Sequence, residues 1–298
     1  MKYIARERYS DKNIITESSW ALNFFYGTHL GRLLLKPFVT KTTANLVAKF
    51  MNSKLSKCMI KRFVNKNDIN VYEYDDRKYN SYNDFFTRKV IDTKRPINTT
   101  KDVLISPCDS KLMAYDIDNN LVMRIKDAYY DINSLVNNDI LEEYKGGKAL
   151  VFRLSTDNYH RYCYIDSGSK GKNNHIKGVY HTVQPISLKH YNFYKTNTRE
   201  WTVLNTNNFG KVIQVEVGAM LIGRIVNNHE TYIYKKGEEK GYFEFGGSTI
   251  VMLFKKGTIR LDDDIYENSK QNIETIVSYG ERIGKAKFFM RLINKIIN

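Results

Sequence analysis

The stretch KGEEKGYFEFGGSTIVMLF, residues 236–254, decides the fold of this chain. Its apolar run at residues 250–254 and its aromatic-rich segment at residues 242–245 predict two strands, because aromatic and β-branched side chains are typical of buried strands. Gly246 and Gly247 lie between the runs and predict a sharp turn. The stretch therefore predicts a strand that begins at the edge of a buried sheet, with Ser248 at its start.

A serine in this position can react with its own backbone. Glycine lacks a Cβ atom, so Gly246 and Gly247 can adopt the strained geometry in which the Ser248 hydroxyl attacks the carbonyl of Gly247. The product is a backbone ester, and elimination from it converts the serine into a pyruvoyl group, an electrophile built into the chain. Taken alone, residues 246–249 are also typical of a plain tight turn into a strand, so the interpretation depends on the rest of the sequence.

The remaining patterns predict an α+β protein. Short β-rich segments broken by Gly, Asn and Asp follow one another from about residue 101 and indicate a sandwich-like or barrel-like β core. Residues 17–67 predict helices, with Ser18 or Ser19 as N-cap and Pro37 as the stop. Residues 131–144 predict one intervening helix, and apolar residues at 289, 292, 293 and 296 predict a C-terminal helix. We expect a helical, basic extension over residues 1–70 and a β-rich catalytic domain over residues 71–298.

The charge of the chain indicates an anionic partner. The chain has 298 residues, 42% of them hydrophobic, with a formal charge of +15 and a pI near 9.4. These values suit nucleic acid or an anionic membrane surface. Basic residues dominate between residues 41 and 68, where Asp68 is the single acid and aromatic and leucine side chains are interspersed. That pattern is typical of an interfacial helix on anionic lipid, and also of a helical hairpin packed on a core with a solvated basic face.

Other sites and locations are disfavoured by pattern. Cys58, Cys108 and Cys163 form no C-x-x-C pair, and the six histidines show no metal-ligand spacing, so we expect neither a disulfide framework nor a metal site. No run approaches the roughly 18 to 20 apolar residues of a membrane-spanning helix. The N-terminus lacks the apolar core of a signal peptide. We therefore expect a soluble or peripheral protein from a reducing compartment.

Four further motifs precede the Gly-Gly-Ser-Thr stretch. They are residues 82–88 (Tyr-Asn-Asp-Phe-Phe-Thr-Arg) with residues 95–97 (Arg-Pro-Ile), residues 106–110 (Ser-Pro-Cys-Asp-Ser), residues 157–161 (Asp-Asn-Tyr-His-Arg) and residues 215–223 (Val-Glu-Val-Gly-Ala-Met-Leu-Ile-Gly). In this order, and ending in Gly-Ser-Thr, they closely resemble the phosphatidylserine decarboxylases over about residues 70 to 258. Five ordered motifs make a chance agreement improbable.

The resemblance implies a set of site residues. Ser248 becomes the covalent pyruvoyl cofactor, and Gly247 precedes the bond that is cleaved. Asp109 matches the aspartate of the self-cleavage triad, although Ser110 stands where the family usually has glycine. His160 matches the histidine that serves decarboxylation.

The triad base is where this chain departs from the family pattern. Family members commonly carry Asp-Tyr-His-Arg-x-His, with the second histidine as base, and Cys163 occupies that place here. A neutral thiol is a poor proton acceptor. Self-cleavage therefore depends on His160 acting in both steps, on another histidine, or on Cys163 itself. His181 is the best substitute, although a partly buried strand histidine bonded to backbone is the more common role of a histidine in such a sequence.

The resemblance also implies a function. The expected enzyme converts phosphatidylserine to phosphatidylethanolamine and carbon dioxide through a Schiff base with the pyruvoyl group. We expect it at the cytoplasmic face of the cell membrane, peripherally bound to anionic phospholipid, as a heterodimer of its own chains 1–247 and 248–298. A homo-oligomer is left open. Arg88 and Arg95 are candidates to meet the lipid phosphate, because a guanidinium offers paired donors to phosphate oxygens.

Two alternatives belong to other classes. The first is an unprocessed, non-catalytic membrane-binding relative, in which the loss of the second histidine abolished processing. The second is a nucleic-acid-binding β-barrel, which the charge and the interleaved tyrosines suggest. No recognition motif supports the second, and we expect no nucleic-acid partner.

Overall fold

The computed structural model describes residues 2–10, 12–125, 128–136, 139–184, 186–187, 191, 193–219, 224–246 and 248–287. The strands within these ranges are β1 Lys2–Glu7, β2 Asn13–Glu17, β3 Val103–Ile105, β4 Ser110–Asp116, β5 Val122–Ile125, β6 Ala128–Asp131, β7 Lys148–Leu154, β8 Arg161–Cys163, β9 Gly168–Lys170, β10 Asn174–Ile176, β11 Arg199–Thr206, β12 Gly210–Gly218, β13 Ile225–Asn227, β14 Tyr232–Tyr234, β15 Glu239–Phe243, β16 Ser248–Phe254, β17 Ile259–Leu261, β18 Glu274–Val277 and β19 Arg282–Ala286. The α-helices are α1 Trp20–Gly27, α2 His29–Leu35, α3 Lys41–Met51, α4 Cys58–Asn67, α5 Tyr82–Phe86, α6 Asn133–Val136, α7 Phe193–Thr196 and α8 Asp263–Lys270. This mixture of helices and large sheets confirms the predicted α+β class.

One large sheet organises the fold. Its strands run in the order β14-β9-β11-β12-β16-β7-β4-β18-β1-β2, and β10 pairs with β11 at the side of this path. Two three-stranded sheets, β13-β15-β8 and β17-β19-β3, and the hairpin β5-β6 complete the β structure. The predicted strand that starts at Ser248 is β16, at the centre of the large sheet.

Strand β16 is buried on both faces, which explains its continuous apolar sequence. Ile250, Met252 and Phe254 pack with residues of the small sheets, such as Phe243 of β15. Val251 and Leu253 pack on the opposite face, against a cluster that includes Leu135 and Tyr144. Two hydrophobic cores therefore meet at the strand that carries Ser248.

The N-terminal strands do not belong to the predicted helical segment. Residues 2–17, assigned to a helical extension, instead form the hairpin β1-β2, and β1 pairs in parallel with β18 of the large sheet. The alternation that marks β1 is visible in its burial, since Tyr3 and Ala5 are buried and Ile4 is exposed. The helical segment is confined to residues 20–67.

The helices match the sequence prediction in part. Ser19 caps α1, and its hydroxyl accepts a hydrogen bond from the Leu22 amide at 3.3 Å. Pro37 lies in the 3₁₀ turn Lys36–Val39 that follows α2. Residues 131–144 hold α6 and the 3₁₀ turn Asp139–Tyr144 in place of one helix, and the Asn-Asn sequence between them is a poor helix former. The predicted C-terminal helix at residues 289–296 lies outside the described residues.

Candidate active site

The motifs meet at one end of the large sheet, where several of its strands begin or end. Ser248, the first residue of β16, pairs with Leu154 at the end of β7 and with Gly218 at the end of β12. Ser110 begins β4 and pairs with Val277 at the end of β18. The segments that flank these strand ends contain Asp109, His160 and Gly246. Strand pairing therefore brings together residues that are far apart in the sequence.

Ser248 is placed as a buried hydroxyl at this edge. It is fully buried, and its Oγ has no hydrogen-bond partner among the described residues. Its neighbour across β12 is Gly218, which has no side chain. Gly246 has a φ of 144°, a conformation that favours glycine. Gly247, the predicted cleavage residue, lies outside the described residues.

His160 is buried next to the Gly246 backbone. Burial lowers its pKa to about 3, the neighbouring Asn158 and Gly246 backbones oppose that shift, and the Arg88 charge adds to it. The imidazole is therefore neutral at physiological pH. Its Nδ1 lies 2.9 Å from the Asn158 carbonyl oxygen, which can only accept a hydrogen bond, so Nδ1 carries the proton. The lone pair is left on Nε2, which has no hydrogen-bond partner within the described ranges.

The motif at residues 82–86 forms the apolar wall of this site. The Phe86 ring lies 4.2 Å from the His160 ring and 5.2 Å from the Phe245 ring, measured between centroids. Asn83 accepts a hydrogen bond from the Phe245 amide at 2.9 Å. Helix α5 thus positions the chain immediately before Gly246 and covers His160. The sequence alone did not indicate this role for residues 82–86.

Asp109 lies at the same edge but is paired with an arginine. Arg95 donates from Nε to Oδ1 at 3.0 Å and from Nη2 to Oδ2 at 2.9 Å. The Tyr279 amide donates to Oδ1 at 2.7 Å. Burial would lower the pKa of Arg95, but its contacts with Asp109 and Glu73 raise it overall. The Asp109 carboxylate is thus neutralised by a guanidinium, and the structure does not bring it into contact with His160 or His181.

Known proteins match most of this chain. The family model described as "Phosphatidylserine decarboxylase" matches residues 82–285. The chain belongs to the phosphatidylserine decarboxylase family. It is 52% identical over 266 residues to "Phosphatidylserine decarboxylase proenzyme 2" of Clostridium acetobutylicum, covering 89% of this chain and 91% of that protein. It is 40% identical over 270 residues to "Phosphatidylserine decarboxylase proenzyme" of Clostridium tetani, covering 89% and 91%. The match confirms the resemblance deduced from the motifs.

Cys163, where the phosphatidylserine decarboxylase pattern has its second histidine, is a buried thiol. Burial raises its pKa to about 12, against an opposing hydrogen bond from Tyr279. Its amide donates to the Pro107 carbonyl at 2.9 Å, which places it beside the segment that carries Asp109. The thiol is protonated at physiological pH and is a weak proton acceptor there.

His181 lies in a separate aromatic cluster. Its ring stacks on Tyr191 at 4.0 Å, and its Nδ1 lies 3.3 Å from the Tyr26 hydroxyl of α1. Burial lowers its pKa to about 4. Asn197 bonds the backbone of His181 and also donates to the Gly218 carbonyl at 2.8 Å. His181 therefore lies near the end of β12, the strand that pairs with Ser248, and its role as the base stays a prediction.

The two arginines expected to meet a lipid phosphate are engaged inside the protein. Arg88 is fully buried, with its guanidinium 4.2 Å from the centroid of the Tyr74 ring. Arg95 is held by Asp109 and by Glu73, the latter at 3.0 Å. Sequence alone could not reveal these contacts, because a guanidinium has the same signature in a motif whether it faces a ligand or a carboxylate.

Proposed function

We propose that this chain is a phosphatidylserine decarboxylase that cleaves itself between Gly247 and Ser248 and uses a pyruvoyl group made from Ser248. The observation that carries the proposal is the buried Ser248 hydroxyl, which has no hydrogen-bond partner among the described residues and lies two residues after Gly246, a glycine with φ of 144° next to the neutral His160 ring. The names of the relatives, which call them proenzymes, also support it.

In the proposed cleavage Ser248 attacks its own backbone. A base takes the hydroxyl proton, Oγ bonds to the carbonyl carbon of Gly247, and the bond from that carbon to the Ser248 nitrogen breaks. The released nitrogen takes up that proton. Elimination then removes the Cα proton of residue 248 and breaks the Cβ–Oγ bond, so that Oγ leaves in the new carboxylate of Gly247 and a double bond forms between Cα and Cβ. Water hydrolyses the remaining enamine to a keto group and releases ammonia. The products are chains 1–247 and 248–298.

We assign the base to His160 in preference to Cys163 or His181. The lone pair of His160 is on Nε2, and the ring is held by the Asn158 carbonyl, so the tautomer suited to accept a proton is fixed. The thiol of Cys163 is protonated, and His181 is turned toward Tyr26. Because the Asp109 carboxylate is paired with Arg95, the base is oriented by a backbone carbonyl instead of by that carboxylate.

The residues around Ser248 also suit the second reaction. The pyruvoyl group, once formed, supplies an electrophilic carbonyl and an electron sink for loss of carbon dioxide from an amino acid headgroup. Phe86 and Phe245 exclude water from the site, which favours the loss of charge when the carboxylate departs. We propose His160 also as the proton donor to the substrate carbon, after its Nε2 has taken up a proton from the substrate ammonium group. Within the described part of the chain no cluster of His, Cys, Asp and Glu could hold a metal ion.

The helical segment at residues 20–67 supports a peripheral membrane location. Its exposed large apolar side chains, with exposed fractions between 45% and 81%, are Trp20, Leu30, Leu33, Leu34, Phe38, Leu46, Phe50 and Leu55. Lysines such as Lys49, Lys54 and Lys57 are exposed among them. Apolar side chains next to a basic surface suit the interface of an anionic bilayer. In the described residues no helix is long and apolar enough to span a membrane. We propose association with the cytoplasmic face of the cell membrane through this segment.

The intact mass of the purified protein tests the proposal before any assay. We expect two chains divided between Gly247 and Ser248, the smaller one lighter by one ammonia than a chain that begins with serine. Ser248→Ala should give one uncut chain, and only the cut protein should release carbon dioxide from phosphatidylserine. A single wild-type chain without activity would contradict the proposal. It would favour the non-catalytic membrane-binding relative, which the Asp109–Arg95 pairing and the Cys163 thiol make the second candidate.

A further inference from the structure

Three consecutive backbone amides hold the chain just before the proposed cleavage site. The amides of residues 243 and 244 each donate to a backbone carbonyl at 2.9 Å. The Phe245 amide also donates at 2.9 Å, but its acceptor is Oδ1 of the Asn83 side chain. The anchor closest to the cleavage site is therefore a side chain of α5, which a substitution can remove without changing the backbone.

The Asn83 side chain is itself fixed in place. It is 4% exposed, and its Nδ2 donates to Oδ1 of Asn52, the C-cap residue of α3, at 3.0 Å. This bond leaves Oδ1 of Asn83 to accept from the Phe245 amide. The start of α5 is tied to the same helical segment, because the Tyr82 amide donates to the Ser56 hydroxyl at 2.9 Å. The helical segment thus supports the group that holds Phe245.

The sequence after Phe245 needs such an anchor. Ser248 is fixed by strand pairing on both sides, with β7 and with β12. Gly246, with its φ of 144°, and Gly247 connect this fixed strand to Phe245. Glycine adopts many backbone conformations at little steric cost. Without a fixed Phe245 the two glycines would spend less time in the conformation in which the Ser248 hydroxyl reaches the Gly247 carbonyl.

We propose that Asn83 is a positioning residue for self-cleavage, because its side-chain oxygen holds the Phe245 amide and so restrains the two glycines for attack by Ser248. The inference rests on the proposed function, since it takes cleavage between residues 247 and 248 as the reaction. A side-chain amide accepts and donates hydrogen bonds but is not a base. Asn83 therefore acts through the backbone, and Asn52 supports it from the helical segment.

Cleavage rates of full-length variants test the inference. The labelled chain would be made by cell-free synthesis, and its conversion into two fragments would be followed with time. We expect Asn83→Ala to slow cleavage about ten-fold or more, because the buried Phe245 amide loses its partner. Asn52→Ala, at an exposed residue, should slow cleavage about three-fold, since it removes only the support of Asn83. The matched control is Asn268→Ala on α8, which also removes a 4% exposed asparagine with two side-chain hydrogen bonds and should cut at the wild-type rate.

A rescue separates positioning from a general loss of stability. Asn83→Asp restores an acceptor oxygen but adds a carboxylate near Glu244. Burial raises the pKa of Glu244, and the neighbouring Arg224 and Asn83 side chains oppose that shift. Asn83→Asp is therefore combined with Glu244→Gln, and the pair should recover most of the cleavage rate of Glu244→Gln alone. Melting temperatures would be measured with Ser248→Ala added to every variant, so that all the chains compared are uncut.

The outcomes distinguish this inference from the proposed function. A wild type that cuts, with Asn83→Ala and Asn52→Ala that cut equally fast, would overturn the inference alone. So would an Asn268→Ala variant of matching melting temperature that cuts as slowly as Asn83→Ala, or a rescue pair that stays slow. If Asn83→Ala does not fold, the Asn52→Ala rate and the rescue pair decide. A wild-type chain that stays uncut would refute the proposed function, and this inference with it.

Discussion

The buried ion pair between Glu216 and Lys240 offers the sharpest test of how the site is held together. Both side chains are fully buried, and Lys240 Nζ lies 2.7 Å from Glu216 Oε1. Glu216 is on β12, two residues before Gly218, which faces Ser248. Lys240 is on β15, whose Phe243 amide donates to the His160 carbonyl at 2.9 Å. The pair therefore links β15, which is bonded to the His160 backbone, to β12, which pairs with Ser248.

We expect Lys240→Met to destabilise the protein strongly. It leaves the Glu216 carboxylate buried with the Gln214 amide as its remaining partner, at 2.8 Å. Breaking a buried pair by removing one member costs about 3–5 kcal/mol. At roughly 2 °C per kcal/mol for a chain of this size, the melting temperature should fall by roughly 6–10 °C. Glu216→Gln combined with Lys240→Met removes both charges and should recover most of this loss, because no buried charge is then left alone.

The assay combines thermal unfolding with the mass of the product. Melting temperatures would be measured for the two single variants and the double variant, and the cut fraction would be followed by intact mass. Lys12→Met is the control, since it breaks an exposed ion pair with Glu7 and should leave the melting temperature unchanged. We expect the Lys240→Met protein to cut more slowly than the double variant. A double variant as unstable as the two single losses added together, or a Lys240→Met variant no less stable than the control, would refute the reasoning.

Four further predictions concern the proposed cleavage, pH and the membrane. His160→Gln should leave a single uncut chain by intact mass. Cys163→Ala should cut at nearly the wild-type rate, because the thiol is protonated at physiological pH. The reverse pattern would make Cys163 the base. The folded-state pKa of His181 is about 4, below its ordinary value of 6.5, so the unfolded chain takes up the proton first and stability is lost as the pH falls from about 6.5 to about 4. His181→Phe should flatten this part of a curve of melting temperature against pH, and an unchanged slope would count against it. Leu55→Ser, at an apolar residue with 77% exposure, should reduce sedimentation with anionic vesicles several-fold, while Ile233→Ser, at 83% exposure on β14, should not.

The elements that the sequence predicted well are those whose pattern is local. Residues 150–152 and 250–254 are apolar without interruption because β7 and β16 are buried on both faces. The Ser19 cap was visible for the same reason, since its bond to the Leu22 amide spans three residues. The order of the five motifs was enough to indicate the family, because each motif is a short run of neighbouring residues. None of these inferences needed knowledge of a contact between distant segments.

The features that the sequence did not reveal depend on distant contacts. The hairpin at residues 2–17 joins the large sheet through β18, more than 260 residues away along the chain. In the sequence Lys240 is one of several charged residues between two glycines, and only its ion pair with Glu216 on β12 explains why it is buried. The pairing of Asp109 with Arg95 could not be predicted either, although both residues lie in family motifs, at residues 106–110 and 95–97. Pairing across a sheet has no signature in local composition, so these contacts appear only in the folded chain.

The replacement of histidine by Cys163 has a consistent physical meaning in the proposed mechanism. In a Ser-His-Asp arrangement the carboxylate fixes the imidazole tautomer and stabilises the imidazolium that forms. Here Arg95 neutralises Asp109, and the Asn158 carbonyl fixes the tautomer of His160 without supplying a charge. The imidazolium is therefore less stabilised, and the proposed cleavage should be slow. Cleavage happens once in the life of each molecule, so a slow base suffices, whereas decarboxylation recurs and gains from a dry, uncharged site next to Phe86.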